Sequence, residues 1–409
     1  MTKKLKAIKY PWVVVCLLWG VALLNYLDRQ MLSTMKSAIM VDIPQLSSAT
    51  QFGHLMAIFL WIYGSVSPIA GLLADRFSKK RIIVGSLFVW SAVTLLMGFA
   101  TNFNQLYFLR ALMGVSEALY IPAGLSLIAE YHDDKSRSLA IGIHMTGLYL
   151  GQALGGFGAT LAEIYTWNNV FQIFGSVGVL YSFVLFFFLK DKRTTSTISS
   201  EGNLQNISPW VTLRLLVGSF PFWILILYFS IPSIPGWAIK NLLPTLIAEN
   251  LNLKMAVAGP LSTITIAFSS FVGVIIGGIL SDRWVQRHKR GRVLTSAIGL
   301  FLTIPALMLL GFGTSLIHLV GAAICFGLGF GIFDTNNMPI LCQIVNPKHR
   351  ATAYGLLNMA GIFAGAFITD FLGKSTDNGK LGHDFAFMSI IVLAALILLL
   401  VFFRPKTSE

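Results

Sequence analysis

Twelve stretches of about 20 apolar residues follow one another along this 409-residue chain, and a water-soluble fold has no place for so many. Inside a bilayer every backbone N–H and C=O must be satisfied within the protein, which leaves helices or closed barrels. Stretches of this length and uniform apolarity predict helices. They run at about 12–34, 52–74, 81–101, 105–129, 138–162 and 167–190, then 219–247, 257–280, 291–313, 315–343, 351–372 and 384–403. Only 11% of the residues are charged, against roughly a quarter in an ordinary soluble domain. The first stretch has full spanning length with no small-residue cleavage site behind it, so it is read as a span and not as a signal peptide.

The one long polar segment, rich in Ser, Thr and Asn, lies between the sixth and seventh spans. It divides the chain into an N-terminal six-helix bundle (1–190), a linker (191–218) and a C-terminal six-helix bundle (219–409). The net charge of +13 would suggest nucleic acid in a soluble protein. Here 23 of the 30 Lys and Arg fall on the N-terminal tail, the exits of even-numbered spans, the linker and the C-terminal tail. Four (Lys36, Lys254, Lys374 and Lys380) fall on the opposite side, and Arg29, Arg110 and Lys240 lie within spans. This asymmetry places both termini in the cytoplasm and removes nucleic acid as a partner. The bilayer of the cell membrane is the expected surrounding, with the chain acting as a monomer.

Several motifs have plain readings. Cys16, Cys325 and Cys342 are far apart in apolar spans and read as packing residues. The stretch "LGKST" at 372–376 echoes a phosphate loop, but Ile368 stands where that loop needs Gly. No His, Cys, Asp or Glu cluster has metal-ligand spacing, and no nucleophile–base set is visible. No metal, no cofactor and no enzymatic activity are therefore expected.

An internal echo is more informative. "GLLADRFSKKR" follows span 2 and "GGILSDRWVQRHKRGR" follows span 8, placing Asp75-Arg76 and Asp282-Arg283 207 residues apart. "RSLAIGIHM" from Arg137 and "RATAYGLLN" from Arg350 form a second pair in the same order. Two parallel six-helix halves with weak repetition are a transporter architecture. Gly71 would let a neighbouring helix come close. Asp75 and Arg76, with Asp282 and Arg283, would form a latch between the halves that holds one of two states.

The "GLLADRFSKKR" loop resembles the signature loop of the major facilitator superfamily. With twelve spans and both termini inside, the resemblance covers nearly the whole chain. It implies an all-α membrane protein of two pseudo-symmetric six-helix bundles that works by alternating access.

Charges inside spans are costly and mark function. Asp28 and Arg29 are adjacent in span 1, Lys240 lies in span 7 and Asp334 in span 10. Arg110 and Glu117 are seven residues apart on nearly one face of span 4, with Glu117 near the bilayer midplane. Glu117 can pair with Arg29 or Arg110, and Asp28 is expected to hold Arg29. A carboxyl that takes up a proton avoids the cost of burying its charge in one state only, which is what proton coupling requires. Asp334 and Lys240 have no assigned task at this level.

"NYLDR", "WIY" and "RALMGVSEALYIPAG" are similar to the anion:cation symporter family, which includes hexuronate, galactonate, glutamate and sialate carriers. The resemblance implies Asp28 and Glu117 as proton-linked acids. It implies Arg29 and Arg110 as partners of those acids or of a substrate carboxylate, with Arg110 the expected anchor. Tyr63 is implied as a cavity hydrogen-bond donor, and Asn336 and Asn358 as solute contacts. Tyr149 and Lys240 join them as cavity candidates, Lys240 being an extra cation that the pattern does not require. Pro339 stands where sugar-acid carriers are expected to have Trp, and Leu148 where they have Gln. The expected function is proton-coupled symport of a small organic anion such as a sugar acid, with H+ as the coupling ion. Alternatives are sodium coupling, a Spinster-type carrier or exporter of amphipathic lipids, which shares the Asp-Arg of span 1 and the Glu of span 4, or a non-transporting sensor. The polar set Tyr63, His144, Tyr149, Asn336, Asn337 and Asn358 favours a hydroxylated solute.

Overall fold

The computed structural model describes residues 10–46, 48–132, 137–191, 214, 216–345 and 350–402. All regular structure among them is helical. In the N-terminal half the long helices are α1 (Tyr10–Thr34), α3 (Ala49–Arg76), α4 (Lys79–Met97) and α9 (Trp167–Phe188). A short α2 (Lys36–Asp42) joins the first two. Span 4 is built from α5 (Phe103–Ala118) and α6 (Tyr120–Tyr131), and span 5 from α7 (Arg137–Gly155) and α8 (Gly158–Tyr165). The C-terminal half holds α10 (Phe220–Leu251), α11 (Met255–Arg287), α12 (Gly291–Phe312), α13 (Leu316–Asp334), α14 (Asn337–Cys342), α15 (Arg350–Asp377) and α16 (Leu381–Phe402).

Among the described residues, eleven of these helical stretches are long and apolar enough to cross a membrane. The predicted single helix over 138–162 is instead broken into α7 and α8 after Gly155, where Gly156 and Phe157 bond only three residues back. The sequence gives the break little warning, because the apolar run continues through it.

Helix starts follow from local chemistry. Ser48, Ser78, Asn102 and Ser315 each accept the backbone N–H three residues on, capping α3, α4, α5 and α13. Each half then buries its own apolar core. One is centred on Trp90, Tyr120, Phe52 and Phe59, the other on Tyr228, Phe326, Phe333 and Phe385. Much of the remaining apolar surface faces outward, including Phe186, Phe187, Phe301 and Phe367, as a lipid-facing surface requires. Most of the predicted linker 191–218 and the stretch from Pro347 to Lys348 lie outside the described residues.

The two halves meet unevenly. At the end remote from the linker, α3 and α15 touch backbone to backbone. A Cβ on Gly53 would lie 3.1 Å from the Gly373 Cα, and one on Gly373 would lie 2.7 Å from the Ala49 carbonyl. Gly259 on α11 meets the Gly156 carbonyl in the same manner. Asp377, at the last turn of α15, accepts the Ala49 and Thr50 N–H groups, both at 2.7 Å, and the Thr50 hydroxyl. A carboxylate from one half thus caps a helix of the other, where the helix dipole favours it. Lys36 is buried beside this contact within electrostatic range of Glu249 and Asp377, and burial pushes its ammonium below its usual range.

At the linker end the spacing is different. No described atom lies within 4 Å of a Cβ built on Gly71, Gly142 or Gly355. Among the described residues, no neighbouring helix comes within 4 Å of a Cβ at Gly71. The side chains of Asp75, Arg76 and Asp282 lie outside the described residues; Arg283 is exposed. "LGKST" is an ordinary stretch of α15, with Gly373 serving the helix contact.

Candidate functional site

Glu117 sits one residue before the end of α5 and is fully buried. Its Oε2 accepts the Arg29 Nε–H at 2.6 Å and the Asn25 side-chain amide at 2.9 Å. Asn25 and Arg29 are four residues apart on α1, so one face of that helix presents both donors. The pairing differs from the expectation that Asp28 would hold Arg29. Asp28 points the other way, 4% exposed, and accepts the Thr94 hydroxyl of α4 at 3.4 Å. Adjacent helix residues project about 100° apart, so Asp28 and Arg29 cannot serve the same face.

Arg29 is also boxed by rings. Its guanidinium lies 5.1 Å from the Tyr26 centroid and 4.8 Å from those of Phe59 and Tyr63. A desolvated cation gains from the negative ring faces. Arg110 also lies over the Phe59 ring, at 4.5 Å, and directs Nη1 to the Met113 sulfur at 3.0 Å. It is 3% exposed and shielded by Phe59, so Arg29 is the arginine nearer open space. The Asp28 Oδ1, Glu117 Oε1, Arg29 Nη2, Arg110 Nε and Asn25 Oδ1 atoms are buried without a hydrogen-bond partner among the described residues. Such a concentration of unmet polar capacity is rare in a static core.

A small cavity of about 30 Å³ lies between the halves. Tyr149 and Gln152 of α7 form one wall, and Lys240 of α10, Ser270 of α11, Phe330 and Asp334 of α13 form the other. Tyr149 packs against Phe271 at 6.4 Å. Lys240 lies over the Trp237 ring at 5.1 Å and the Phe330 ring at 5.9 Å. Asp334 is exposed to the cavity and accepts the Asn337 amide at 2.9 Å. Tyr26, Tyr149 and Tyr354 lie within electrostatic range of one another or of Asp334, which ties the Arg29 box to the cavity. Gln30 donates to the Lys240 carbonyl at 3.2 Å, so α1 and α10 touch here.

The structure therefore brings together Arg29, Tyr63, Glu117 and, behind them, Asp28 and Arg110, and places Tyr149, Lys240 and Asp334 on the cavity. Asn336 is elsewhere: 1% exposed, between α13 and α14, it donates back to the Ile332 carbonyl of α13. Asn358 is half-buried on α15, one turn beyond Tyr354. His144 is buried against Tyr120, with ring centroids 6.0 Å apart. Sequence reading passed over Asn25, Tyr26, Phe59, Thr94 and Tyr354. Asn25 alone left a signal, a lone amide one turn before Arg29 in an apolar run; the rings look like any other packing residues.

Comparisons with known proteins bear on the family and the fold. The chain matches the profile of the Major Facilitator Superfamily over residues 18–369 and again over 237–409. It is 26% identical over 399 residues to a probable galactarate/D-glucarate transporter of Escherichia coli strain K12, covering 88% of this chain and 86% of that one. It is 24% identical over 391 residues to a chloroplastic ascorbate transporter of Arabidopsis thaliana, covering 90% and 70%. Its fold is similar to the crystal structure of a bacterial homologue of the human lysosomal transporter Spinster in an inward-facing and occupied conformation. There the TM-score is 0.80 at 19% identity over 97% of each chain. The chain belongs to the Major Facilitator Superfamily: it is a multi-pass membrane transporter, and not an enzyme.

Proposed function

We propose that the protein is a proton-coupled symporter of a small organic anion, such as a sugar acid, that works by alternating access in the cell membrane as a monomer. The observation that carries this reading is the buried Arg29–Glu117 pair beside the inter-bundle cavity. Three cations (Arg29, Arg110 and Lys240) and three carboxylates (Asp28, Glu117 and Asp334) occupy the cluster and the cavity wall. They balance when all are ionised. An arriving carboxylate breaks the balance unless one acid takes up a proton, so substrate and proton favour each other's binding. If Glu117 is protonated, it releases Arg29 from their ion pair, and the planar guanidinium can grip the substrate instead. Arg29, and not the shielded Arg110, is the better anchor. The named sugar-acid and ascorbate carriers among the relatives support an anionic solute.

The uneven contact between the halves supports alternating access. With the cation-rich linker end taken as cytoplasmic, this arrangement is closed to the outside by Asp377 and the paired glycines, and spaced apart inside. Asp75 and Asp282 would then form the opposing latch in the other state.

The test uses purified carrier in vesicles with labelled D-glucarate, D-gluconate and D-glucose. An imposed proton gradient should drive accumulation of an acid. Glu117→Gln should exchange labelled for unlabelled acid, yet fail to concentrate it. Accumulation that follows a sodium gradient and ignores protons would give the ion a different identity. D-Glucose competing as well as its acid would remove the anion reading. Labels across the outer end should report a wider separation in Asp377→Ala; an unchanged distribution would take Asp377 out of the gate.

A further inference from the structure

We infer that Lys240 and Asp334 form a second proton-linked pair in the C-terminal half, the repeat-related counterpart of Arg29 and Glu117, with Asp334 carrying its own proton. This rests on the symport reading above. Lys240 follows Arg29 by 211 residues and Asp334 follows Glu117 by 217, close to the 207 and 213 that separate the two sequence echoes. The structure adds an independent correspondence. Arg29 and Lys240 lie on the first helix of their halves, α1 and α10. Glu117 and Asp334 lie on the fourth, each within two residues of a break in it: α5 ends at Ala118 and α13 at Asp334. An acid beside a broken helix, facing a cation on the first helix, has thus been placed in both halves. Interrupted helices near repeat interfaces are where transporters put their ion sites.

The two pairs differ in state. Arg29 and Glu117 are in contact, whereas no ion pair within 4.0 Å joins Lys240 to Asp334 among the described residues. Both instead face the cavity. The groups turned toward Asp334 are Lys240 and Tyr228 of α10, Tyr149 of α7, Tyr354 of α15 and Asn337 of α14, while α11 offers the uncharged Ser270. Lys240 is the sole cation in this set. A substrate carboxylate that engages Lys240 takes away Asp334's counter-charge and brings a like charge beside it. Two carboxylates sharing a small site cannot both remain ionised without cost, and the economical outcome is a proton on Asp334. The transported unit then carries two protons, one in each half.

Infrared titration of the purified carrier in detergent tests this without knowledge of the substrate, by following the protonated-carboxyl band from about pH 4 to 10. The wild type should show components from both acids. Glu117→Gln should remove one and Asp334→Asn the other. Lys240→Met, which leaves Asp334 in place, should move the Asp334 component to higher pH, by up to about 0.7 pH unit. A titration unaltered by both Asp334→Asn and Lys240→Met would overturn the second site. If Glu117→Gln alone removes a component, single-proton symport stands and this inference falls. If neither acid variant changes the band, the proton reading of the whole carrier falls with it.

Discussion

The two halves repeat one another in helix order but treat their charges differently. In the N-terminal half the carboxylate of Glu117 is fully buried and held by Arg29 and Asn25, with the Arg29 guanidinium boxed by Tyr26, Phe59 and Tyr63. In the C-terminal half Asp334 is open to the cavity, keeps one protein hydrogen bond and stands apart from Lys240. The physics of the two sites diverges accordingly. A buried pair is costly to break, because the survivor is left charged in low dielectric. Asp334 has exposed surface on the cavity and no close ion pair to lose, so removing Lys240 should cost less than removing Arg29. On the proposed symport cycle, the N-terminal pair would store the coupling energy and the C-terminal pair would sense what enters.

Four substitutions would break or sharpen that contrast. Arg29→Met should be the most damaging, costing about 3–5 kcal/mol by leaving Glu117 buried and unpaired. Thermal unfolding in detergent would measure it, and a deficit that shrinks as pH falls would identify the uncompensated carboxylate as its source. Asn25→Ala removes the second donor to the same oxygen and should cost about 1.5–3 kcal/mol. The same scans would show whether the amide is part of the pair or merely near it. Thr94→Val removes the Thr94 hydroxyl's hydrogen bond to Asp28; being long at 3.4 Å, its loss should cost nearer 1 kcal/mol. Its effect on stability should exceed its effect on exchange. Lys240→Met should be the mildest for stability, at about 0–1 kcal/mol, while weakening anion binding measured by ligand-induced thermal shift. If it destabilised the carrier as strongly as Arg29→Met, the two halves would be equally dry, and the contrast drawn between them would fail.

Much of this was legible in the chain. Apolar runs of spanning length, one polar linker and the "ADR"/"SDR" echo were enough for two helical bundles. Charges in apolar runs pointed to Asp28, Arg29, Arg110, Glu117, Lys240 and Asp334 because nothing else justifies their cost. Partners were not legible. Arg29 lies next to Asp28 and 88 residues from Glu117, yet bonds to the latter. Nor did the sequence separate Arg110 from Arg29 as the accessible cation, since the shielding ring, Phe59, comes from another helix.

By itself the sequence determined which segments are apolar enough to span a bilayer and roughly where each begins, but not the breaks inside spans 4, 5 and 10. Those outcomes depend on hydropathy, capping and turn chemistry within a few residues. Only the tertiary structure decided which ends of the helices touch. Gly53 and Gly373 are as small as Gly71 and Gly355, but the first two meet another backbone and the last two face open space. A glycine permits a close approach without requiring one. Whether it is used depends on how two rigid bundles are tilted against each other, and that tilt is set by a few contacts such as Asp377 on the start of α3.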